Sequence, residues 1–222
     1  MGCSNTPVPQ GEADLQTQSD ILVLGIGNLL WADEGLGVRA LEALQRQFRF
    51  GPCVRLLDGG TQGLYLLPYV EQSRCLLILD AVDFGLPAGT LHELEDEAVP
   101  AFLGAKKMSL HQTGFQEVLT LARLKGWTPE HLVLLGVQPL TLEDYGGSLS
   151  DLIKAQIPTL VARALARVQA WGGVWTPREG EPLQSEERQP LALSAYEAGR
   201  PSAQVAYRAG DARFLPGVEG AC

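Results

Sequence analysis

The stretch that decides the fold is ILVLGIGNLLWADEGLGVR, residues 21–39. An apolar run ends in the glycine-rich segment 25–28, and Asp33 and Glu34 follow it before a predicted helix. Such a turn commonly binds phosphate at the helix N-terminus. Here Leu30 stands where the dinucleotide motif G-x-G-x-x-G needs its third glycine, and the two acids would repel an anion. The turn therefore disfavours a nucleotide and favours a cation.

The composition limits the kinds of partner. The chain has 222 residues, 45% of them hydrophobic, which is enough for one domain with a buried core. Its net charge of −9 argues against nucleic acid and anionic membrane surfaces. No apolar run approaches the roughly 20 residues of a membrane helix, so we expect no membrane insertion. The four cysteines form no C-x-x-C pair, which favours a reducing compartment, and we expect a cytoplasmic protein.

Strand and helix patterns alternate along residues 20–172, the predicted domain. Apolar runs predict strands at 21–24, 53–57, 75–79, 90–94 and 132–137, the fourth as an edge strand. Helical spacing predicts a helix that includes Leu41, Leu44 and Phe48, a short one over 64–70, one through 115–122, and a long one over 149–171, bent near Pro158. This order predicts an α/β fold with three layers, α/β/α, in which a twisted, mostly parallel sheet lies between helices. Residues 1–19 read as a disordered leader and residues 173–222 as a largely disordered tail.

Several acids fall where the predicted strands end. Ligands of such folds bind beyond the carboxyl ends of the strands. Asp33 and Glu34 follow the first strand, Asp58 ends the second, Asp80 ends the third, and His111 precedes a helix. A Glu, an Asp and a His would suit nickel, zinc, iron or manganese.

Each acid also has a structural alternative. The spacing does not decide between Asp33 and Glu34 as a ligand, and Glu34 could simply stabilise a helix N-terminus. Asp80 could cap a turn, and Asp58, before two glycines, could form one.

The sequence offers no clear protein nucleophile. There is no G-x-S-x-G motif, and Cys75 begins the most apolar strand, a poor environment for a thiolate. Ser109 lies close to His111 in sequence, but this alone does not make a catalytic triad. A hydrolase of this kind would need an activated water, which a bound cation can supply.

Five segments in order resemble the nickel-iron hydrogenase maturation endopeptidases, above all those that process uptake-type, membrane-associated hydrogenases. The segments are GIGNLLWADEGLGVRA (25–40), LLDGGTQG (56–63), LILDAVDFG (77–85), PAGTLHELEDEAVP (87–100) and KKMSLHQTGFQEVL (106–119). The likeness extends from about residue 20 to about residue 170, so it covers neither the leader nor the tail.

The resemblance implies a function and a set of ligands. Members of this family remove a C-terminal peptide from the precursor of the hydrogenase large subunit once nickel has been inserted. By resemblance the nickel ligands are Glu34, Asp80 and His111, and the precursor supplies the nickel. Asp58 is a further candidate for positioning or for base catalysis.

Two other functions remain open at this point. One is a nickel-recognising chaperone that binds the precursor without cleaving it, which the lack of a nucleophile favours. The other is a general metallopeptidase with its own metal, although the chain has no H-E-x-x-H motif.

Overall fold

A computed structural model describes residues 20–105, 110–142, 144–179 and 193–199, with the backbone alone at 104–105 and 110–113. The predicted leader, 1–19, lies outside these residues. The strands are β1 (Ile21–Ile26), β2 (Phe48–Phe50), β3 (Val54–Gly60), β4 (Cys75–Ala81), β5 (Leu91–Glu95), β6 (His131–Val137) and β7 (Trp175–Pro177). The helices are α1 (Leu36–Gln47), α2 (Leu67–Glu71), α3 (Ala98–Ala105), α4 (Leu110–Leu124), α5 (Asp151–Lys154), α6 (Ile157–Ala170) and α7 (Leu193–Gly199). Short 3₁₀ turns, Ala32–Gly35 and Gly63–Leu66, precede α1 and α2.

The central sheet has five strands in the order β3-β1-β4-β6-β5. All neighbours are parallel except β5, which pairs antiparallel with β6 at the edge. The predicted mostly parallel sheet and its edge strand are therefore confirmed. β4 lies at the centre, and every residue of it is buried, as its uninterrupted apolar sequence requires.

Helices cover both faces of the sheet, which confirms the three layers. Alternate residues of each strand point to opposite faces. One face packs against α1 and α6 and contains Ile21, Val23, Leu77 and Leu79. The other packs against α2, α3 and α4 and contains Leu22, Leu24, Leu76 and Ile78.

Two glycines let α1 approach the sheet closely. A Cβ at Gly37 would lie 2.1 Å from the Leu79 carbonyl oxygen and 2.3 Å from that of Ile26. A Cβ at Gly25 would lie 2.5 Å from the Gly37 carbonyl oxygen. Only glycine fits at either position, so the first turn of α1 sits directly on the carboxyl ends of β1 and β4.

Some predicted elements have different boundaries in the structure. Phe48 is not helical, because it begins β2, which pairs with β7, and its ring contacts Trp175 at 5.2 Å between centroids. The single long helix predicted over 149–171 is two helices, α5 and α6, with Pro158 in the first turn of α6 rather than at a bend. β3 extends through Asp58 to Gly60, past the predicted strand end.

Within the predicted tail, 173–222, the described residues form two elements that the sequence pattern did not reveal. These are β7 and α7. Both are short, and neither shows a sustained apolar period. Among the described residues, no helix has the length and apolar character needed to cross a membrane.

Candidate active site

Asp80 lies near the carboxyl end of the central strand, where its side chain is 1% exposed. Its Oδ1 accepts a hydrogen bond of 2.8 Å from the backbone N–H of Ala81. By the alternation of β4, Asp80 shares a face with Leu76 and Ile78, which is the face covered by α4. The structure therefore buries a carboxylate at the middle of the sheet edge.

Glu34 lies at the same corner of the molecule and is partly exposed. It belongs to the 3₁₀ turn Ala32–Gly35, which contacts β4. Glu34 precedes Gly37 by three residues, and Asp80 follows Leu79. Both acids are therefore close along the chain to the contact between Gly37 and Leu79, and the turn that carries Glu34 contacts the strand that carries Asp80.

Asp33 has different surroundings from its neighbour Glu34. It is fully buried, at 0% exposed, and its carboxylate accepts four hydrogen bonds. Oδ2 accepts from the backbone N–H of Leu140 (3.0 Å) and Thr141 (2.9 Å), and Oδ1 from that of Ser150 (2.7 Å). The Ser150 hydroxyl donates to Oδ2 at 3.1 Å. These donors use most of the acceptor positions of a carboxylate, so Asp33 holds a distant loop and has little capacity left for a ligand.

His111 lies in the first turn of α4 rather than before it. Its side chain is outside the described atoms, but the backbone of α4 gives its location. A Cβ at Gly114, one turn later, would lie 3.6 Å from the Cα of Gly63, just beyond the carboxyl end of β3. The start of α4 therefore reaches the carboxyl edge of the sheet, on the face that carries Asp80.

Asp58 lies on the opposite face of the sheet. It alternates with Val54 and Leu56, which pack on the α1 side, and β3 is separated from β4 by β1. Two strand spacings put Asp58 about 10 Å from the line of β4. Its Oδ1 accepts a 2.9 Å hydrogen bond from the backbone N–H of Gly60, the turn-forming contact considered above as its alternative role.

The charge state of Asp58 is set by opposing effects. Burial raises the pKa of its carboxyl group above the ordinary value, while the Gly60 N–H and the positive charge of Arg39 act to lower the pKa. Its side chain is nevertheless exposed, so solvent weakens all of these effects. Asp58 can accept a proton more readily than an ordinary aspartate, but on the far side of the sheet from Asp80.

A polar cleft of about 360 Å³ lies beyond the ends of β4 and β6, and the sequence pattern gave no sign of it. It is lined by Asp83, Gln138, Pro139, Leu140, Thr141 and Leu142. The buried Gln138 organises it. Its Oε1 accepts from the backbone N–H groups of Phe84 (2.7 Å) and Leu86 (3.1 Å), and its Nε2 donates to Asp83 at 3.0 Å.

The described residues offer no preformed metal cluster and no activated thiol. Within them, no three His, Cys, Asp or Glu side chains are close enough together to hold a metal ion. The His111 side chain lies outside the described atoms. Cys75 is buried, and its burial raises the pKa of the thiol, which opposes thiolate formation.

The fold and the edge carboxylates define a three-layer α/β protein with an acidic site, and comparisons identify its family. The sequence model of the hydrogenase maturation protease family matches residues 38–167. The hydrogenase expression/formation protein HoxM of Cupriavidus necator is 56% identical over 88% of this chain and 98% of its own length. The hydrogenase 2 maturation protease of Escherichia coli is 41% identical over 72% of this chain and 96% of its own length.

A solved structure agrees with the sequence comparisons. The hydrogenase maturating endopeptidase HybD from E. coli superimposes with a TM-score of 0.67 at 39% identity, over 71% of this chain and 97% of that one. The chain belongs to the hydrogenase maturation protease family, and it is a peptidase. Cleavage is thereby favoured over the binding-only chaperone.

Proposed function

We propose that this peptidase removes a C-terminal peptide from the nickel-loaded precursor of a nickel-iron hydrogenase large subunit, in the cytoplasm. It recognises the nickel through Glu34, Asp80 and His111. The observation that carries the proposal is that the turn holding Glu34 contacts β4, the strand that holds Asp80, close to the Gly37–Leu79 contact. The start of α4, which carries His111, reaches the same edge of the sheet.

The choice of Glu34 over Asp33 follows from hydrogen bonding. Asp33 is fully buried and already accepts four hydrogen bonds. Binding a metal through it would break bonds that hold the loop containing Leu140, Thr141 and Ser150. Glu34 is partly exposed, so an incoming client can reach it.

The donor set suits recognition of a metal that the client brings. Two carboxylates and an imidazole are ligands that a borderline divalent cation accepts. In this proposal nickel is part of the substrate. A precursor without nickel presents no group for these three side chains to bind, so the same contacts that give affinity also make cleavage wait for nickel insertion.

The cleavage step needs no protein nucleophile. A cation close to the scissile bond can polarise its carbonyl group or lower the pKa of an attacking water. Asp80, buried at the centre of the edge, fixes the position of the client's metal. Asp58 lies on the other face, so we assign it to positioning the precursor rather than to acting as the base.

A cleavage assay tests this function. Nickel-loaded and nickel-free precursor are incubated with the wild type, Glu34→Gln, Asp80→Asn and His111→Ala, and the mass of the precursor is followed. We expect the wild type to remove the peptide from the nickel-loaded form alone, and each variant to lose at least about 100-fold in rate, as expected when a group that contacts the reacting centre is removed.

The assay needs a matched control and a clear contradiction. His92→Ala is the control for His111, because His92 is exposed on the edge strand β5. It should cleave at the wild-type rate. Wild-type rates in the three ligand variants, or equal cleavage of both precursor forms, would show the proposal to be wrong. Binding with no change of precursor mass would support the chaperone instead.

A further inference from the structure

The helix α7 docks on the domain from beyond the family match. It spans Leu193–Gly199, whereas the matched range ends at residue 167. Glu197 Oε1 accepts a 2.8 Å hydrogen bond from the Ser148 hydroxyl and a 2.6 Å bond from Lys154 Nζ. The Tyr196 hydroxyl donates to the carbonyl oxygen of Gly147 at 3.4 Å. Polar contacts thus hold α7 in place, since none of its residues is buried.

A buried cation lies beneath the same helix. Arg39 on α1 is 3% exposed, and its guanidinium carbon is 6.0 Å from the centroid of the Tyr196 ring. Both carboxylate oxygens of Glu42 accept hydrogen bonds from it at 3.0 Å. α7 therefore contacts α1 as well as the segment that contains Gly147 and Ser148.

That segment belongs to what we call the bridging loop, residues 139–142 and 144–150. Its other side is fastened to the turn that carries Glu34. Besides the four bonds to Asp33, the N–H of Gly146 donates to the Leu30 carbonyl at 2.7 Å, and the rings of Trp31 and Tyr145 meet edge to face at 5.3 Å. The bridging loop therefore lies between α7 and the residues immediately before Glu34.

We propose that α7 is a strap that fixes the bridging loop, and that Glu197 is a positioning residue which acts through this loop to orient Glu34. The orientation of Glu34 matters only if Glu34 contacts the client, so this part rests on the proposed function. Surface loops are ordinarily among the most mobile parts of a fold. A loop bonded on both sides holds the Asp33–Glu34 turn still. Less of the chain then has to become ordered when the client binds, and a preorganised site binds more tightly.

The charges around Glu197 support a fixed strap. Lys154 lies beside it, and Lys154 is also 3.6 Å from Asp151. Bonds from Lys154 and Ser148 and the charge of Arg39 lower the pKa of the Glu197 carboxyl group, so it is ionised at neutral pH. An ionised acceptor forms stronger hydrogen bonds than a neutral one.

Hydrogen exchange tests the strap without any client. In the full chain, Glu197→Ala should raise the exchange rates of the Thr141, Gly146 and Ser150 amides by about tenfold, because local opening then costs less. Glu197→Gln keeps an acceptor for Ser148, so its amide exchange rates should lie between those of the wild type and Glu197→Ala. Ser194→Ala, at an exposed position of α7, is the matched control and should match the wild type. Wild-type exchange in Glu197→Ala would show that α7 is not a strap.

Cleavage kinetics test the positioning role. Glu197→Ala should raise KM for the nickel-loaded precursor about fivefold and change kcat less than about twofold. Glu197→Gln should have a KM close to that of the wild type. An unchanged KM would contradict the positioning role even if exchange were faster. Wild-type cleavage by Glu34→Gln would instead show that the proposed function fails, and the exchange experiment would still decide whether α7 fixes the loop.

Discussion

Replacing Asp33 with asparagine tests whether one carboxylate fastens the bridging loop. The amide side chain would keep one acceptor oxygen in the same volume. With that oxygen in the Oδ2 position it could still accept from Leu140, Thr141 and the Ser150 hydroxyl. Its NH₂ group would then face the backbone N–H of Ser150, which now donates to Oδ1 at 2.7 Å. The variant therefore loses the charge-assisted hydrogen bond from Ser150 N–H, and the new NH₂ group faces that N–H, so two donors meet. The three hydrogen bonds to the remaining oxygen become weaker, because the acceptor is no longer charged.

The expected loss follows from these contacts. A hydrogen bond to a charged group contributes about 1.5–3 kcal/mol, and the four bonds are not additive because they share one carboxylate. We expect Asp33→Asn to lower the free energy of unfolding by about 2–3 kcal/mol and Asp33→Ala by about 3–4 kcal/mol. For a chain of this size the first loss corresponds to a Tm about 5–10 °C lower.

Urea and thermal unfolding of the variants measure this loss. Asp151→Asn is the matched control, because Asp151 is fully exposed and its described ion pair, with Lys154, is 3.6 Å long. Asp151→Asn should lower the free energy of unfolding far less than Asp33→Asn does. Equal stability of Asp33→Asn and the wild type would refute the idea that Asp33 is a structural anchor, and would reopen it as a candidate ligand.

Three further predictions test the packing and the charges. Gly37→Ala should lower the free energy of unfolding by more than about 3 kcal/mol, because there is no room for its Cβ. Gly114→Ala should raise the free energy of unfolding by up to about 1 kcal/mol, because Gly114 is in a helix and its Cβ would lie at an ordinary van der Waals distance from Gly63. Equal effects of the two substitutions in urea titrations would contradict the close contact at Gly37. The pKa of Glu197 is lowered, so its ionised carboxylate stabilises the fold fully above the ordinary pKa of 4.5, and this stabilisation is lost as pH falls below that value through the lowered pKa. The difference in free energy of unfolding between the wild type and Glu197→Gln should therefore shrink in acid. A difference that stays constant with pH would argue against the bond to Lys154. The pKa of Asp58 is raised, so its ionisation opposes folding as pH rises past the ordinary value of 3.8. Asp58→Asn should therefore be at least as stable as the wild type at neutral pH, and this advantage should disappear in acid. A loss of stability in Asp58→Asn at neutral pH would contradict the raised pKa.

The sheet and its layers could be predicted because they depend on local patterns. Uninterrupted apolar runs such as 75–79 indicate strands that are covered on both faces, and helical spacing at 115–122 predicted α4 correctly. β2, β7 and α7 gave no such pattern. β2 and β7 have three residues each and exist because they pair with each other across more than a hundred residues. α7 is held by polar contacts to a loop that is distant in sequence.

The site could be predicted only in part, for a similar reason. Asp33 and Glu34 are adjacent acids in one turn, and their sequence context gave no basis for choosing between them. The structure separates their surroundings, because Asp33 accepts hydrogen bonds from Leu140, Thr141 and Ser150, more than a hundred residues away.

Asp58 and Asp80 show another limit of sequence patterns. Both were expected at the same edge of the sheet, and both lie at the carboxyl ends of their strands. Their faces differ, because the side that a strand residue points to depends on its register with its neighbours. The register of β1 against β3 and β4 is a tertiary property and cannot be read from either segment alone.

The central claim is that Glu34, Asp80 and His111 bind the nickel that the client carries. Nickel K-edge X-ray absorption of the loaded precursor, frozen with and without the peptidase before cleavage, measures this contact directly. We predict that the wild type adds oxygen or nitrogen ligands at about 2.0–2.2 Å, and that Asp80→Asn adds fewer. An unchanged nickel spectrum in a sample that goes on to be cleaved would contradict the account.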